Sequence, residues 1–491
     1  MILKQLMEQL EYTCVQGDDN RTVTELVYDS RRIAKGCVFV CIAGAVYDGH
    51  AFADEAVKQG AVAIVAEQEL ELPPDVTVIR VEDTRLALAF MSAAYFGHPA
   101  EKLTTIGITG TKGKTTTTYM IKSILENTGK KVGLMGTIET VIGDTAIPAN
   151  NTTPESYTIQ ETFARMVEEG CDCVVMEVSS QGLKMNRVAG FTYDYGIFTN
   201  LGEDHIGGAE HTDFQDYLRS KSKLFSQCRL GLMNADDAHV QEILEGHTCQ
   251  VETFGFAEQA DIRAVGVRLL QEPGFLGIEY RTEGKLQLDV RMNIPGKFNV
   301  YNSLCAISLC RHFGVSNEEI TRALGNVHVR GRVELVPVSE RFSVMLDYAH
   351  NAMSLESLLT TLKEYHPGRL VCIFGCGGNR SRSRRFEMGE VSSRLADFTI
   401  VTLDNPRFEE PEDIIRDIIE GVKKAPGRYV EITDRKEAIR YGIEHAQDRD
   451  IIVIAGKGHE DYQEIRGVKH PMDDRELIRD AAEECRKQKL L

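Results

Sequence analysis

The residues with the plainest chemistry lie together at Gly110-Thr111-Lys112-Gly113-Lys114-Thr115-Thr116-Thr117. Glycines let backbone N–H groups close around phosphate oxygens, and a lysine at the position of Lys114 reaches the terminal phosphates. The Thr115 hydroxyl can ligate a divalent cation, and a helix N-terminus at this point favours negative charge. The common phosphate-loop pattern has its first Gly where Ile108 stands, but Gly-Lys-Thr at a strand-to-helix junction still reads as a nucleotide loop. Glu177 ends the apolar run Cys173-Val174-Val175-Met176. That puts an acid at the C-terminal end of a buried parallel strand, where open α/β sheets bind ligands and where an oxygen donor suits Mg²⁺. A helix cap or ion-pair partner is an equally open reading of Glu177. Asp204 and His205 follow another strand-like run and are candidates for a further metal ligand or a phosphate-orienting group. The stretch Tyr217-Leu218-Arg219-Ser220-Lys221-Ser222-Lys223 reads, by itself, as a helix with a solvated basic face.

These groups need a scaffold, and the apolar pattern predicts an α/β protein of three domains. The first, over 1–98, has strands at 37–42, 61–66 and 76–81 and a helix at 84–96, with Pro99 marking its end. The second, over 99–332, places a strand at 103–109 before the Gly/Thr loop and a helix at 114–127 after it. Strands at 131–135, 171–178 and 195–200 alternate with helices such as 156–169, which predicts a parallel sheet. The strip 262–294 alternates like antiparallel β and is expected on the sheet's flank; a helix follows at 300–313. The third domain, over 333–491, has strands at 370–374, 398–402, 429–432 and 451–455 between helices, a second doubly wound, Rossmann-like sheet.

Composition narrows the function. The 491 residues carry 56 Lys and Arg against 74 Asp and Glu, a formal charge of −18. That field repels nucleic acid, so any anionic substrate must be held by locally gathered cations. The N-terminus carries acids early and lacks the apolar core of a signal peptide. No apolar run approaches the ~20 residues that span a bilayer, so a cytoplasmic location without membrane insertion is expected. The twelve cysteines are scattered and read as buried thiols rather than disulfides. Cys372 and Cys376 lack a second Cys/His pair at finger spacing.

Taken together, these residues resemble the Mur ligases, the ATP-dependent enzymes that build the peptide stem of the peptidoglycan precursor. The likeness covers essentially the whole chain, and the loop 109–116 matches the family's own phosphate-loop variant. Within the family, the pattern is similar to the member that adds the third amino acid. The resemblance implies ATP as co-substrate, held by Gly110, Thr111, Lys112, Gly113, Lys114, Thr115 and Thr116. Asn299 would lie near the adenine, with Arg332 and Asp347 facing the nucleotide. It implies Mg²⁺ at Thr115, Glu177, His205 and Lys221, the last carbamylated, because an ammonium cannot hold a cation and its carbamate can. Lys114, Glu177, His205 and Lys221 form the implied catalytic set.

By the same resemblance, Ser30 contacts the uridine nucleotide, while Asn151, Thr152, Thr153, Ser179, Gln181 and Arg187 grip UDP-N-acetylmuramoyl-L-Ala-D-Glu. Arg380, Asp404, Asn405, Pro406, Arg407, Gly456 and Glu460 form the incoming amino-acid site. The tetrad Asp404-Asn405-Pro406-Arg407 is similar to that of ligases using meso-2,6-diaminopimelate. Arg407 and Arg380 would receive its second carboxylate, and Asp404 and Glu460 its distal ammonium. Two departures stand out: no acid follows His205 in Gly202-Glu203-Asp204-His205-Ile206-Gly207-Gly208, and Asn351-Ala352 replaces the usual Pro after Asp347-Tyr348-Ala349-His350. The third domain is expected to close over the second and exclude water, and the chain is expected to act as a monomer. Rival expectations are the same reaction with L-lysine or another diamino acid, and a non-catalytic nucleotide-binding regulatory module.

Overall fold

Short apolar runs bounded by turns become buried strands in the computed structural model, which describes all residues except 45, 46, 204, 205, 208, 209 and 489–491. The chain divides into two units: Met1–Arg263 with Leu304–Ser316, and Ala264–Ser303 with Asn317–Leu491.

The first unit begins with a five-stranded sheet in the order Thr13–Gln16, Thr77–Arg80, Ala63–Ala66, Val38–Val40, Leu26–Val27. Only Thr13–Gln16 runs antiparallel. The helix Thr84–Tyr95 starts at Asp83, whose carboxylate accepts the Arg85 and Leu86 amides, and its Leu88 and Met91 join Val38, Val40 and Val65 in one core.

The larger sheet of this unit sets the loop ends. Its strands run in the order Gln250–Gly255, Cys228–Asn234, Tyr193–Phe198, Thr104–Thr109, Cys173–Glu177, Val132–Met135, Glu139–Ile142, Thr145–Pro148. The first six are parallel and the last two form an antiparallel extension. Thr104–Thr109 is flanked by two strands that come later in the chain, with Ile108 opposite Glu177 and Thr109 opposite Phe198. Three strands therefore end at nearly the same level. Ile106, Ile108, Val174, Met176 and Ile197 are fully buried, as strands covered on both faces must be. The strands Cys228–Asn234 and Gln250–Gly255 go beyond the predicted set, since internal Gly and charged residues weaken their β signal.

In the second unit, Phe275–Gly284 and Asp289–Met292 pair antiparallel, as the alternation of 262–294 predicts. Residues 264–303 group with the C-terminal segment because Leu276 joins the core of Leu355, Leu359 and Leu362 and the Gly296 amide donates to the Tyr365 hydroxyl. The six-stranded sheet runs Glu334–Val336, Ser343–Asp347, Ile451–Ala455, Leu370–Phe374, Phe398–Val401, Arg428–Glu431, with only the first strand antiparallel. One face packs on Leu359, Met388 and Ile414 and the other on Ile439, Ile443 and Ile478. A hairpin, Tyr462–Ile465 with Val468–Pro471, stands apart from that sheet. All twelve cysteines are free thiols, and Cys372 and Cys376 are among the buried ones. No helix among the described residues is long and apolar enough to cross a membrane.

Candidate active site

Residues 110–113 connect Thr104–Thr109 to the helix Lys114–Glu126. A Cβ on Gly110 would collide with Thr199 Oγ1, so only glycine permits this approach. The Thr199 hydroxyl donates to the Lys112 carbonyl at 2.7 Å. Asn200 braces the same turn: its carbonyl accepts the Thr111 amide at 2.9 Å, its Oδ1 accepts the Lys112 amide at 2.9 Å, and its Nδ2 donates to the Lys112 carbonyl at 3.0 Å. This bracing pair follows directly from the strand register, and the sequence reading assigned it no role.

Two lysines converge on one oxygen. Lys114 Nζ donates to the Gly110 carbonyl at 2.8 Å and Lys221 Nζ donates to it at 3.0 Å. Lys221 is 2% exposed and lies 4.5 Å from the centre of the Tyr217 ring, whose hydroxyl bonds Thr111 Oγ1 at 3.0 Å. The solvated basic face predicted from that stretch alone is thus corrected at Lys221, which points inward, whereas Lys223 is exposed.

Glu177 is 1% exposed and accepts hydrogen bonds from Thr115 Oγ1 at 3.0 Å, Thr137 N at 2.9 Å and Thr137 Oγ1 at 3.0 Å. A Cβ on Gly136 would come within 2.5 Å of Glu177 Oε1. Glu177, at the end of its strand, thus sets a carboxylate beside the Thr115 hydroxyl in the first turn of the helix that follows the loop. These hard oxygen donors fit Mg²⁺, which takes one or two carboxylates and completes its shell with water and phosphate. Asp204 and His205 lie outside the described residues.

Around this pair, Thr153 Oγ1 donates to the Glu177 carbonyl at 3.0 Å and accepts the Ser179 amide at 2.9 Å. Thr152 Oγ1 meets Thr137 Oγ1 at 3.1 Å. Arg187 donates to Glu155 Oε1 at 2.8 Å and to the Thr153 carbonyl at 3.1 Å. Ser179 caps the helix Ser180–Lys184, Gln181 is half-buried, and Asn151 is exposed. Ser30 opens a 3₁₀ turn capped by Asp29 and is half-buried.

A buried histidine went unassigned by sequence. His211 is 1% exposed; its Nε2 meets Ser180 Oγ at 2.9 Å and its Nδ1 meets Asp216 Oδ2 at 3.3 Å. Burial pushes its pKa down, opposed by Asp216. The Lys184 ammonium, 2.6 Å away, holds Asp216 down to about 2. The available signal was Asp213, the N-cap of Phe214–Ser222, two residues after His211.

In the second unit, Asp347 accepts the Val333 and Ala349 amides, each at 2.8 Å, and burial pushes its carboxyl above the ordinary range. The Arg332 guanidinium lies 5.0 Å from the Tyr348 ring centre, and the His459 ring packs 4.9 Å from the same ring. Asn299 is buried, its amide donating to the Pro295 carbonyl and accepting from Asn302.

The structure brings most of the expected amino-acid site together. Asn405 Nδ2 donates to Glu460 Oε2 at 2.8 Å, and a Cβ on Gly456 would stand 2.7 Å from Asp404 Oδ2. Lys457, next to the expected site residue Gly456, is fully buried and donates to Asn405 Oδ1 at 3.1 Å and Glu460 Oε2 at 3.3 Å. Burial pushes the Asp404 carboxyl up, while Lys457 and Arg435 pull it down. Pro406 is buried, and Arg407 donates to Glu464 Oε2 at 3.0 Å and to the Gly378 carbonyl at 2.7 Å. Arg380 is exposed.

Similarity to known proteins follows the same division of the chain. Residues 22–96 match the Mur ligase family catalytic domain, 108–310 the Mur ligase middle domain, and 331–458 the Mur ligase glutamate ligase domain. The UDP-N-acetylmuramoyl-L-alanyl-D-glutamate–2,6-diaminopimelate ligase of Caldanaerobacter subterraneus subsp. tengcongensis is 41% identical over 475 residues, 96% of this chain and 97% of that one. Its namesake in Clostridium perfringens is 40% identical over 490 residues, 98% of this chain and 100% of that one. A solved structure bearing the same enzyme name aligns with a TM-score of 0.75 at 27% identity over 99% of both chains. The MurF ligase of Thermotoga maritima, solved with ADP, shares the fold at a TM-score of 0.58 and 18% identity, over 95% of this chain and 99% of that one. With these three matches and relatives about 40% identical over nearly the whole chain, this chain belongs to the Mur ligase family and has its three-domain α/β fold.

Proposed function

We propose that this chain is an ATP-dependent ligase that joins meso-2,6-diaminopimelate to UDP-N-acetylmuramoyl-L-alanyl-D-glutamate during peptidoglycan precursor synthesis. The observation that carries the reading is the meeting of Lys114 and Lys221 on the Gly110 carbonyl, beside the Thr115–Glu177 pair. The names of relatives about 40% identical over nearly their whole length support the substrates. In this reading the chain works as a cytoplasmic monomer, with domains at 1–98, 99–332 and 333–491.

Lys114 and the loop amides bind the ATP phosphates and gather positive charge where the γ-phosphoryl oxygens become more negative during transfer to the D-glutamyl carboxylate. Thr115 and Glu177 are the residues that would hold Mg²⁺, with carbamylated Lys221 and His205 as further ligands; the ion supplies charge neutralisation and polarises the phosphoryl group. Carbamylation would turn one of two crowded ammonium groups into an anion, relieving the repulsion between them. Asn151, Thr152, Thr153, Ser179, Gln181 and Arg187 hold the dipeptide end, and Ser30 the uridine end, of the precursor. Asn299, Arg332 and Asp347 serve the nucleotide. The amine of diaminopimelate attacks the resulting acyl phosphate, and phosphate leaves as the amide forms. Asp404, Asn405, Glu460 and the two arginines, Arg380 and Arg407, select that amine's carrier, with Pro406 and Gly456 shaping the backbone around it.

The test is ADP release, with mass analysis of the product, using the UDP-linked dipeptide and a panel of diaminopimelate, lysine and glutamate. A new amide with diaminopimelate is expected. Turnover with lysine alone would reassign the third substrate, and no amide with any amino acid would sink the ligase reading.

A further inference from the structure

The hairpin strand Tyr462–Ile465 grips the tetrad Asp404-Asn405-Pro406-Arg407 through hydrogen bonds that involve side chains. Gln463 Nε2 donates to the Asp404 carbonyl at 2.8 Å, and the Glu464 amide donates to Asn405 Oδ1 at 2.9 Å. Glu464 Oε2 accepts from Arg407 Nε at 3.0 Å. The main chain joins in: the Arg407 amide donates to the Glu464 carbonyl at 3.0 Å, and the Arg466 amide donates to the Arg407 carbonyl at 2.6 Å. Arg407 has a φ of +54°, a left-handed backbone that residues other than glycine keep only where their surroundings over-determine it. Here the hairpin supplies that hold.

The Arg407 guanidinium is fixed at Nε and Nη1. Nε is on Glu464, and Nη1 donates to the Gly378 carbonyl at 2.7 Å. A Cβ on Gly377 would stand 3.0 Å from Nη1, so the guanidinium lies close against this turn. Nη2 has no hydrogen bond among the described residues, yet it is not sealed from solvent, and the side chain as a whole is 21% exposed. A guanidinium carries its N–H donors in a rigid planar fork. With Nε and one Nη1 hydrogen committed, the plane is set, and the remaining donors on Nη1 and Nη2 are left for an incoming group. Because Glu464 takes only Nε, it orients the fork without filling it.

We propose that Glu464 is a specificity-determining positioning residue, which fixes the Arg407 guanidinium so that its remaining donors meet the second carboxylate of the incoming amino acid. The inference rests on the reading of Arg407 as the receiver of that carboxylate, and extends it to the residue that sets its selectivity. A side chain already held in its binding orientation loses less rotamer freedom when the ligand arrives. An amino acid with a single carboxylate, such as lysine, gains nothing from that orientation, so Glu464 acts on the choice between the two. Its hold on Asn405 runs through the main-chain amide and survives a change of side chain. A Glu464 variant therefore isolates the contact with Arg407.

Steady-state ligation by the full chain, with each of the three substrates varied in turn and the product identified by mass, tests the proposal. Glu464→Ala is expected to raise KM for diaminopimelate about three- to ten-fold, with kcat and the KM values for ATP and the UDP-linked dipeptide within about two-fold of wild type. Glu464→Gln keeps an acceptor in the same place and is expected to recover most of that loss. In an Arg407→Ala background, Glu464→Ala is expected to add nothing, since the two residues act as one unit. Glu464→Leu, which keeps bulk without an acceptor, gives the same comparison if Glu464→Ala does not fold. An unchanged KM, a rise shared equally by all three substrates, a Glu464→Gln variant as impaired as Glu464→Ala, or a loss that persists without Arg407 would overturn the role. Wild-type turnover with diaminopimelate separates the two levels: its absence would sink both readings, whereas normal turnover without a Glu464 effect would sink only this one.

Discussion

The phosphate loop of the first unit and the Asp404–Glu460 pocket of the second handle charge in opposite ways. The loop is shaped by main-chain groups: the carbonyls of Gly110 and Lys112 and the amides of Thr111 and Lys112 are fixed by Thr199, Asn200 and two lysines. The pocket is built from side chains already paired with one another, Lys457 with Glu460 and Arg407 with Glu464. A loop held through its main chain tolerates little change in geometry. A site made of paired side chains can be retuned one residue at a time, which suits it to choosing among amino acids.

The contrast predicts unequal damage. Lys114→Ala should lower kcat by about 10²–10³-fold, the scale for removing one preorganised donor to a developing anion, read as ADP release under saturating substrates. Lys221→Ala should fall by a similar factor, and stripping CO₂ from the wild-type assay should reproduce part of that loss. Full activity of Lys221→Ala would remove the carbamate from the mechanism. Arg407→Ala should act on selection instead, raising KM for diaminopimelate on the order of ten-fold or more through loss of a charge-assisted hydrogen bond, with kcat less affected. A drop confined to kcat would erase the distinction between the two regions.

The smallest expected effect is on stability. Burial, with Arg332, Arg330 and Arg475 nearby, pushes His459 down to about 4, below its ordinary value of 6.5. The unfolded chain therefore binds this proton more readily than the folded one between those values. Stability should be lost as pH falls from about 6.5 towards 4, with no further loss from this group below that. His459→Gln should flatten the unfolding midpoint over this window, followed by thermal denaturation at stepped pH. An unchanged slope would mean that the imidazole is not held neutral.

What could be read from residue order was what is local. Gly113-Lys114-Thr115 after an apolar strand fixes a loop and a helix start, and Glu177 at the end of Val174-Val175-Met176 fixes an acid at a strand tip. Lys221 was different: by periodicity it belongs to an exposed basic face, and only the family resemblance pointed it inward. Its burial depends on Tyr217 and on a carbonyl 111 positions away in the chain, which no local pattern encodes. Thr199, Asn200 and His211 escaped for the same reason, since each gains its role from a partner on another element. The strands Cys228–Asn234 and Gln250–Gly255 were hidden because neighbouring strands, rather than their own side chains, favour the extended form.

The position of Thr104–Thr109 between two strands that follow it in the chain has a consequence for biosynthesis. On a ribosome, the phosphate loop emerges well before Glu177, Thr199, Asn200 and Lys221, the groups that hold it in shape. A nascent polypeptide halted at residue 170 would have the loop's amino acids and none of their supports. Competence to bind nucleotide should therefore arrive late in synthesis, after residue 221 has left the exit tunnel, so that incomplete chains do not sequester ATP.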